Sequence, residues 1–472
     1  MRQIETDICV IGAGSGGLSI AAGAVQMGAR VVLIEGGEMG GDCLNSGCVP
    51  SKALIAAAKA AQARRGGASF GIAPTEPQID FGAVKDHVFR VIETIAPVDS
   101  QERFEGLGCT VIRDWARFAS PDEVIAGETR VKARRFVIAT GSRPFVPPIP
   151  GLDGVPFLTN ETIFDLREKP KHLIVIGGGP IGMEMAQAHL RLGCQVTVIE
   201  GAKAFGRDDP ETVAVVLDAL RAEGLTILEN APVTEVSGDG REVTVTLNNG
   251  QQVTGSHLLL AVGRKVSLEG LDLDAAGVKH DRKGVQVDAS LRSSNRKVYA
   301  VGDAAGGLQF THVAGYHAGV VIRQIVLGLP AKVSTHHIPW ATYTDPELAQ
   351  VGLTEAEARK AYGARLTVLR QEFHHNDRAQ AEGKAKGLLK VMVVGGRPVG
   401  ASLAGPIAGE LIGLWALVIA NKMKLSAIAG MVAPYPTLGE ISKRAAGAYF
   451  SPKLFDNPVL KRVVGLIQRY LP

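Results

Sequence analysis

Short, continuous apolar runs punctuate the chain, and the first ones end in glycine-rich turns. Asp7-Ile8-Cys9-Val10-Ile11 is one run and Arg30-Val31-Val32-Leu33-Ile34-Glu35 another, with an alanine-rich stretch between them. Runs of this length without polar alternation predict strands buried on both faces, and the alanine-rich stretch predicts a helix. The same strand–helix–strand order returns at His172–Ile176 and 195–200. Further strands are predicted at 135–139, 258–262 and 298–301. From about Pro339 the pattern changes to alternating strands, at 367–373 and 387–394, and helices. The apolar run 411–420 is only about half a membrane span and predicts a buried helix. The tail, 451–472, mixes basic and apolar residues and predicts a docking helix.

Both repeats place a G-x-G-x-x-G turn between strand and helix: Gly12, Gly14 and Gly17 in the first, Gly177, Gly179 and Gly182 in the second. The first glycine permits a tight turn. The second lets backbone approach a pyrophosphate, and the third lets the helix pack on the strand. Glu35 and Glu200 end the second strands, equally far after the first glycine, where a carboxylate binds ribose hydroxyls. The glycine turn alone is weak evidence, but strand, helix and acid together make each repeat a dinucleotide site. With a cysteine pair between them, the assignment is FAD first and nicotinamide second. Glu200 favours NAD(H) over NADP(H), because a carboxylate repels a 2′-phosphate. Lys203 and Arg207 nearby soften that preference.

Cys43 and Cys48 flank four residues in the segment from Gly40 to Lys52. Pro50 opens a run of helix formers and suits a first helical turn. Cys48 is therefore expected at or just before a helix N-terminus, where free N–H groups and the dipole stabilise a thiolate. Cys43 is expected on the preceding loop, placed for an exchangeable disulfide. The competing readings are a zinc half-site and two unrelated thiols. A structural zinc needs four ligands, and the chain has no second cysteine pair or spaced histidine pair. Cys9, Cys109 and Cys194 fall in or beside apolar patterns and read as inert core.

The segment matches G-G-x-C-x-N-x-G-C-x-P-S-K. With the two glycine turns it resembles the flavin-dependent pyridine nucleotide–disulfide oxidoreductases, which include dihydrolipoamide dehydrogenase, glutathione reductase and mercuric reductase. The resemblance runs from Asp7 to about Lys443. It implies an α/β fold: two Rossmann-like nucleotide-binding domains, for FAD and NAD(P), and an α+β C-terminal dimerisation domain. The implied boundaries are 1–150 with 264–337 for FAD, 151–263 for NAD(P), and 338–472 for a homodimer interface. It further implies a redox disulfide between Cys43 and Cys48, with Cys48 facing the flavin and Cys43 attacking the acceptor. Lys52, one helical turn beyond Cys48, would stabilise reduced flavin and thiolate. Glu184 would pair with it, against the plainer reading of a first-turn acid favoured by the dipole. Thr140 and Gly141 of the A-T-G crossover, Gly263 of the matching element, and Asp303 as ribityl ligand complete the implied cofactor set. His312 and His317 lie where the family runs beside the flavin. His336-His337 and His374-His375 are adjacent pairs and read as non-metal.

One departure matters. Where dihydrolipoamide dehydrogenases and glutathione reductases carry a histidine with a glutamate five residues on, this chain has Tyr435 and Glu440. A phenol titrates near 10 and an imidazole near 6.5, so tyrosine is a poor base at neutral pH. Mercuric reductases also place a tyrosine here, in a P-Y-x-T context, but carry a C-terminal cysteine pair and an N-terminal metal-capture domain that this sequence lacks. The favoured reading is an NADH-dependent disulfide oxidoreductase resembling dihydrolipoamide dehydrogenase. The alternatives are a mercuric-reductase-like or quinone/diaphorase-type reductase and, in another class, a redox-silent flavin-bearing docking subunit. A soluble transhydrogenase is disfavoured, since such relatives usually lack the cysteine pair. A net charge of +4 with dispersed basic residues excludes a nucleic-acid surface and implies no membrane partner. Five cysteines and no leader pattern before Asp7 point to the cytoplasm.

Overall fold

The structure is a computed structural model and describes residues 1–471; Pro472, the end of the tail read as a docking helix, lies outside the described residues. The chain forms two compact units. One comprises Met1–Ala204 and Thr226–Ser334, the other Phe205–Leu225 and Thr335 onward.

In the first unit, strand Arg2–Ile11 is central. It pairs in parallel with Val31–Ile34 and Thr129–Ile138, aligning Val10 with Leu33 and Val137. The sheet order is Thr110–Ile112, Val31–Ile34, Arg2–Ile11, Thr129–Ile138, Glu123–Ala126, Ala116–Ser120. Val298–Ala300 joins in parallel beside the carboxyl end of Thr129–Ile138, so the distant 298–301 run completes this sheet. Cys9, Val10, Leu33 and Val137 are fully buried, as unbroken apolar strands require. A second parallel sheet orders Thr226–Leu228, Gln195–Ile199, His172–Ile176 and His257–Leu260. An antiparallel ribbon, Ser142–Pro144 with Arg264–Val266, carries the chain out of and back into the first sheet.

The second unit is built on a five-stranded antiparallel sheet: Pro339–Thr342, Glu347–Gly352, Arg397–Gly405, Leu388–Val394, Leu366–Glu372. Helix Ala408–Ala420 is the expected apolar helix, but only one face is buried. Ile412, Trp415, Val418 and Ile419 point inward, and Leu417 is exposed. Trp415 donates its indole N–H to Ser442 Oγ at 3.2 Å.

Helix Pro210–Ala222, expected within the 151–263 segment, groups instead with the second unit. A buried ion cluster ties its N-terminus to the antiparallel sheet. Lys390 lies on Leu388–Val394 and is 1% exposed; its ammonium donates to both Asp209 oxygens, to Glu211 and to Glu355, each at 2.8 Å. Asp209 also caps the helix, accepting from the Glu211 N–H. Arg370 bridges Glu211 and Glu355. Neighbouring Asp208 accepts the Trp340 indole N–H at 2.8 Å, and burial pushes its carboxyl up to about 6.

Breaking a buried ion cluster from one side leaves uncompensated charge. Lys390→Ala is expected to lower stability by about 3–5 kcal/mol in urea denaturation. Loss within the range of a surface substitution would mean that water reaches Asp209.

Candidate functional site

The two glycine turns have one geometry. Gly12 has φ +105°, and a Cβ there would lie 2.4 Å from the Ala139 carbonyl oxygen; Gly177 has φ +115°, and a Cβ would lie 2.3 Å from that of Ala261. A Cβ on Gly17 would meet Gly12 O at 1.9 Å, and one on Gly182 would meet Gly177 O at 2.0 Å. These positions admit only glycine. Gly14 and Gly179 cap helices Ser15–Gln26 and Pro180–Arg191, whose first turns hold no acid. Each strand-end acid ties down its own turn. Glu35 accepts from the Ala13 and Gly37 N–H groups at 2.5 and 2.7 Å, and Glu200 from Gly178 and Ala202 at 2.7 and 2.9 Å. Helix N-termini without acids, fronted by glycine, are made for a phosphate.

The first cradle fits FAD on further grounds. The Thr140 hydroxyl is buried beside it with no hydrogen-bond partner, a polar atom awaiting a ligand. Gly141 has φ +65°. Asp303 opens toward this region on the turn after Val298–Ala300, accepting from Ser142 Oγ at 2.5 Å. Burial pushes its carboxyl up, against the Ser142 hydrogen bond and the Arg264 charge. His317, expected beside the flavin, is a structural acceptor: it is buried and its Nδ1 takes the Gly302 N–H at 3.1 Å. Burial pushes its imidazole down to about 4, so it stays neutral. His312 stacks on Phe310. Gly263, at φ +122°, precedes Arg264.

The redox segment lies on the first turn. A Cβ on Gly41 would sit 2.8 Å from Gly14 Cα, and the Gly40 N–H donates to Ala13 O at 3.0 Å. Cys48 is the first residue of helix Cys48–Arg65, as the proline spacing predicts. Cys43, expected on a loop, lies in a short helix, Gly41–Asn45. Both are free thiols here. Cys43 is hydrogen-bonded to Cys48, and this bond, set against burial, holds Cys48 down at about 6; the Thr311 hydroxyl, 3.3 Å from its sulfur, and the Lys52 charge contribute. The same bond and burial push Cys43 far up. The arrangement therefore favours the thiolate on Cys48 and the thiol on Cys43.

Lys52 forms the implied ion pair with Glu184, at 2.8 Å. Glu184 sits beyond the first turn of Pro180–Arg191 and is buried, so the dipole alone does not account for it. Sequence reasoning missed a second network. Asp42 accepts from Asn160 Nδ2 at 3.0 Å and pairs with Arg264 at 3.1 Å; Arg264 also donates to Ser142 Oγ and O, each at 2.7 Å. It links the cysteine loop, through Arg264 and Ser142, to Asp303. Asp42 occupied the variable position of the motif and Arg264 followed Gly263, but neither position signals its partner.

In the second unit, Tyr435 is 70% exposed and donates its hydroxyl to Asp377 at 2.9 Å, not to Glu440. Asp377 pushes the phenol up from its ordinary value. Glu440 opens helix Glu440–Phe455 and accepts from the Thr437 N–H at 3.4 Å. Cys9, Cys109 and Cys194 are buried, and burial pushes their thiols up. No cluster able to hold a metal occurs among the described residues.

Comparison with known proteins accords with this geometry. The family model for pyridine nucleotide-disulphide oxidoreductases matches residues 6–318, and that for the family's dimerisation domain matches 338–446. The chain is 34% identical to a mercuric reductase of Streptomyces lividans over 467 residues, covering 96% of this chain and 98% of that one. It is 37% identical to a dihydrolipoyl dehydrogenase of Thermus scotoductus over 465 residues, covering 94% and 97%. Among solved structures, the Cu(II) complex of the HOCl-induced flavoprotein disulfide reductase RclA from Escherichia coli superposes with a TM-score of 0.84. It is 26% identical, and the match covers 94% of this chain and 99% of that one. Two glycine cradles, a thiol pair on a helix N-terminus and these matches over nearly the whole length have one account: the chain belongs to the pyridine nucleotide-disulphide oxidoreductases, enzymes that use FAD and a pyridine nucleotide.

Proposed function

We propose that this enzyme is an NADH-dependent disulfide oxidoreductase in which the Cys43–Cys48 pair hands electrons to the final acceptor. The observation that carries the reading is the placement of Cys48 as first residue of helix Cys48–Arg65, with the Thr311 hydroxyl 3.3 Å from its sulfur and Cys43 on the short helix just before it. FAD, when bound, supplies the two-electron relay between the pyridine nucleotide and the thiols. Gly12, Gly14, Gly17, Glu35, Thr140, Gly141 and Asp303 would hold it; Gly177, Gly179, Gly182, Glu200 and Gly263 would hold the nicotinamide cofactor. Lys52 keeps a positive charge beside Cys48, and Glu184 fixes that ammonium at 2.8 Å. Cys48 holds its thiolate at the helix N-terminus, while Cys43 keeps its proton and is the thiol that engages the acceptor. The partner is a second copy of the chain, paired through the dimerisation domain.

A specific observation favours a second reading of the acceptor. Tyr435 stands where the histidine base of dihydrolipoamide dehydrogenases is expected, and Asp377 raises its pKa further from neutrality. An acceptor that needs no proton from that position suits the site better than lipoamide. A thiophilic metal ion meets that condition, and the mercuric reductases among the relatives are named for one.

Anaerobic titration with NADH tests the first reading. Two electrons are expected to produce a long-wavelength thiolate-to-flavin band. The band is expected to grow as pH rises through about 6, where Cys48 loses its proton, and to fade below it. Cys48→Ser should abolish it and Cys43→Ser should not; a band that survives in Cys48→Ser would refute the thiol assignment. Bleaching without a band would take the thiols out of the electron path.

Assays with lipoamide, a quinone, Hg(II) and Cu(II) separate the acceptors. If the missing base limits lipoamide turnover, Tyr435→His should raise it by about 10²-fold, within the usual contribution of a general base. An unchanged rate would make Tyr435 architectural. Glu200→Ala should narrow the preference for NADH over NADPH, read as a ratio of kcat/KM values. Unaltered discrimination would move selectivity to another residue.

A further inference from the structure

The tail ends in helix Pro458–Tyr470, which buries no residue of its own. Asn457 caps it, accepting from the Val459 and Leu460 N–H groups, and Pro458 suits its first turn. The helix is thus well started, yet most of its apolar side chains stay open to solvent. Val459, Val463, Val464, Leu466, Ile467, Tyr470 and Leu471 are 42–71% exposed.

The arrangement of these residues is strongly sided. At 100° per residue, the apolar positions from Val459 to Leu471 fall within an arc of roughly 160°. Gly465 and Gln468 lie on the other side with Lys461, Arg462 and Arg469. Arg462 and Arg469 border one edge of the apolar arc, and Lys461 stands beyond the other. No acidic residue follows Asp456. The family's dimerisation model ends at 446, before this helix begins.

We propose that helix Pro458–Tyr470 is an interfacial anchor that lays its apolar face into an anionic lipid surface. A wide apolar arc flanked by cations is the pattern of helices that lie in the headgroup region. The long Lys and Arg stems reach from the edges of the arc to phosphate oxygens while the aliphatic face enters the acyl boundary. The charges argue against a second copy as the occupant. Two such helices face to face would set Lys461, Arg462 and Arg469 beside the same cations, with no acid on either helix to offset them. The helix lies on the membrane and does not cross it: no helix among the described residues is long and apolar enough to span. No membrane partner is expected from basic blocks or spanning runs, and a helix of this kind is neither.

The test is flotation of the purified holoenzyme with phosphatidylcholine vesicles containing phosphatidylglycerol, against pure phosphatidylcholine vesicles. Flavin absorbance confirms that each variant is folded. Binding to the anionic vesicles is expected to weaken with salt and to be lost when the chain is ended at Asp456. Each cation near an anionic surface contributes roughly five-fold to partitioning. Substituting Lys461, Arg462 and Arg469 together by Gln should therefore lower it by roughly 100-fold. Val463→Asp with Ile467→Asp, at the centre of the apolar arc, should abolish binding without altering sedimentation of the free enzyme. No flotation with anionic vesicles, or equal flotation with neutral ones, would overturn the proposal. So would a change in oligomeric state in the Asp variant, which would make this face an interface between copies.

Discussion

The contact on which the site depends is the approach of two backbones. Gly41 lies so close to Gly14 that a Cβ would come within 2.8 Å of its Cα, and the Gly40 N–H is bonded to Ala13. Gly40 and Gly41 have φ of +87° and +60°, a region open to glycine at little cost. This contact lays the cysteine segment directly on the first glycine turn. Ser15, first residue of the helix that starts there, reaches Cys43 with its hydroxyl. The first glycine turn and the cysteine pair are therefore packed as one piece of structure.

Around that contact the charges are balanced locally. Asp42 stands next to Cys43 and, left alone, would oppose a thiolate on Cys48. Arg264 meets it at 3.1 Å. Lys52 supplies a cation on the other side, and the buried Glu184 holds that cation at the start of the second nucleotide repeat. A carboxylate as buried as Glu184 is tolerated only with such a partner. The Lys52–Glu184 pair thereby fastens helix Cys48–Arg65 to helix Pro180–Arg191, which follows the second glycine turn.

What the sequence disclosed was what the backbone imposes locally. The glycines at 12, 17, 177 and 182 were legible because the turns exclude any side chain, and Cys48 because Pro50 marks a helix start two residues on. Pairings that depend on tertiary approach were not legible. Thr311 reaches Cys48 from a separate helix, and Arg264 reaches Asp42 from the returning ribbon. Nothing in the sequence marks Asp209, although its carboxylate neutralises a lysine on a strand far along the chain. Glu184 was found only because the family resemblance named its partner. Tyr435 stood out because the resemblance expects a histidine there, but Asp377 did not, since nothing about its position marks it as the acceptor of a phenol.

Proton balance bears on the acceptor. On the proposed reading, the thiolate–thiol pair carries one proton, on Cys43. When the pair becomes a disulfide it gives up two electrons and that proton. A disulfide reduced to a dithiol takes up two protons, as does a quinone reduced to a quinol, so one more must come from elsewhere. In the relatives that act on lipoamide, the resemblance assigns that exchange to an imidazole near neutrality. Here the position holds a phenol whose proton is bonded to Asp377 and whose pKa is raised. A divalent metal ion that accepts two electrons requires no proton, and a soft cation can displace the Cys43 proton directly as it binds sulfur. On the proposed reading, the change from histidine to tyrosine limits the acceptors that bring protons into the balance and leaves those that do not untouched.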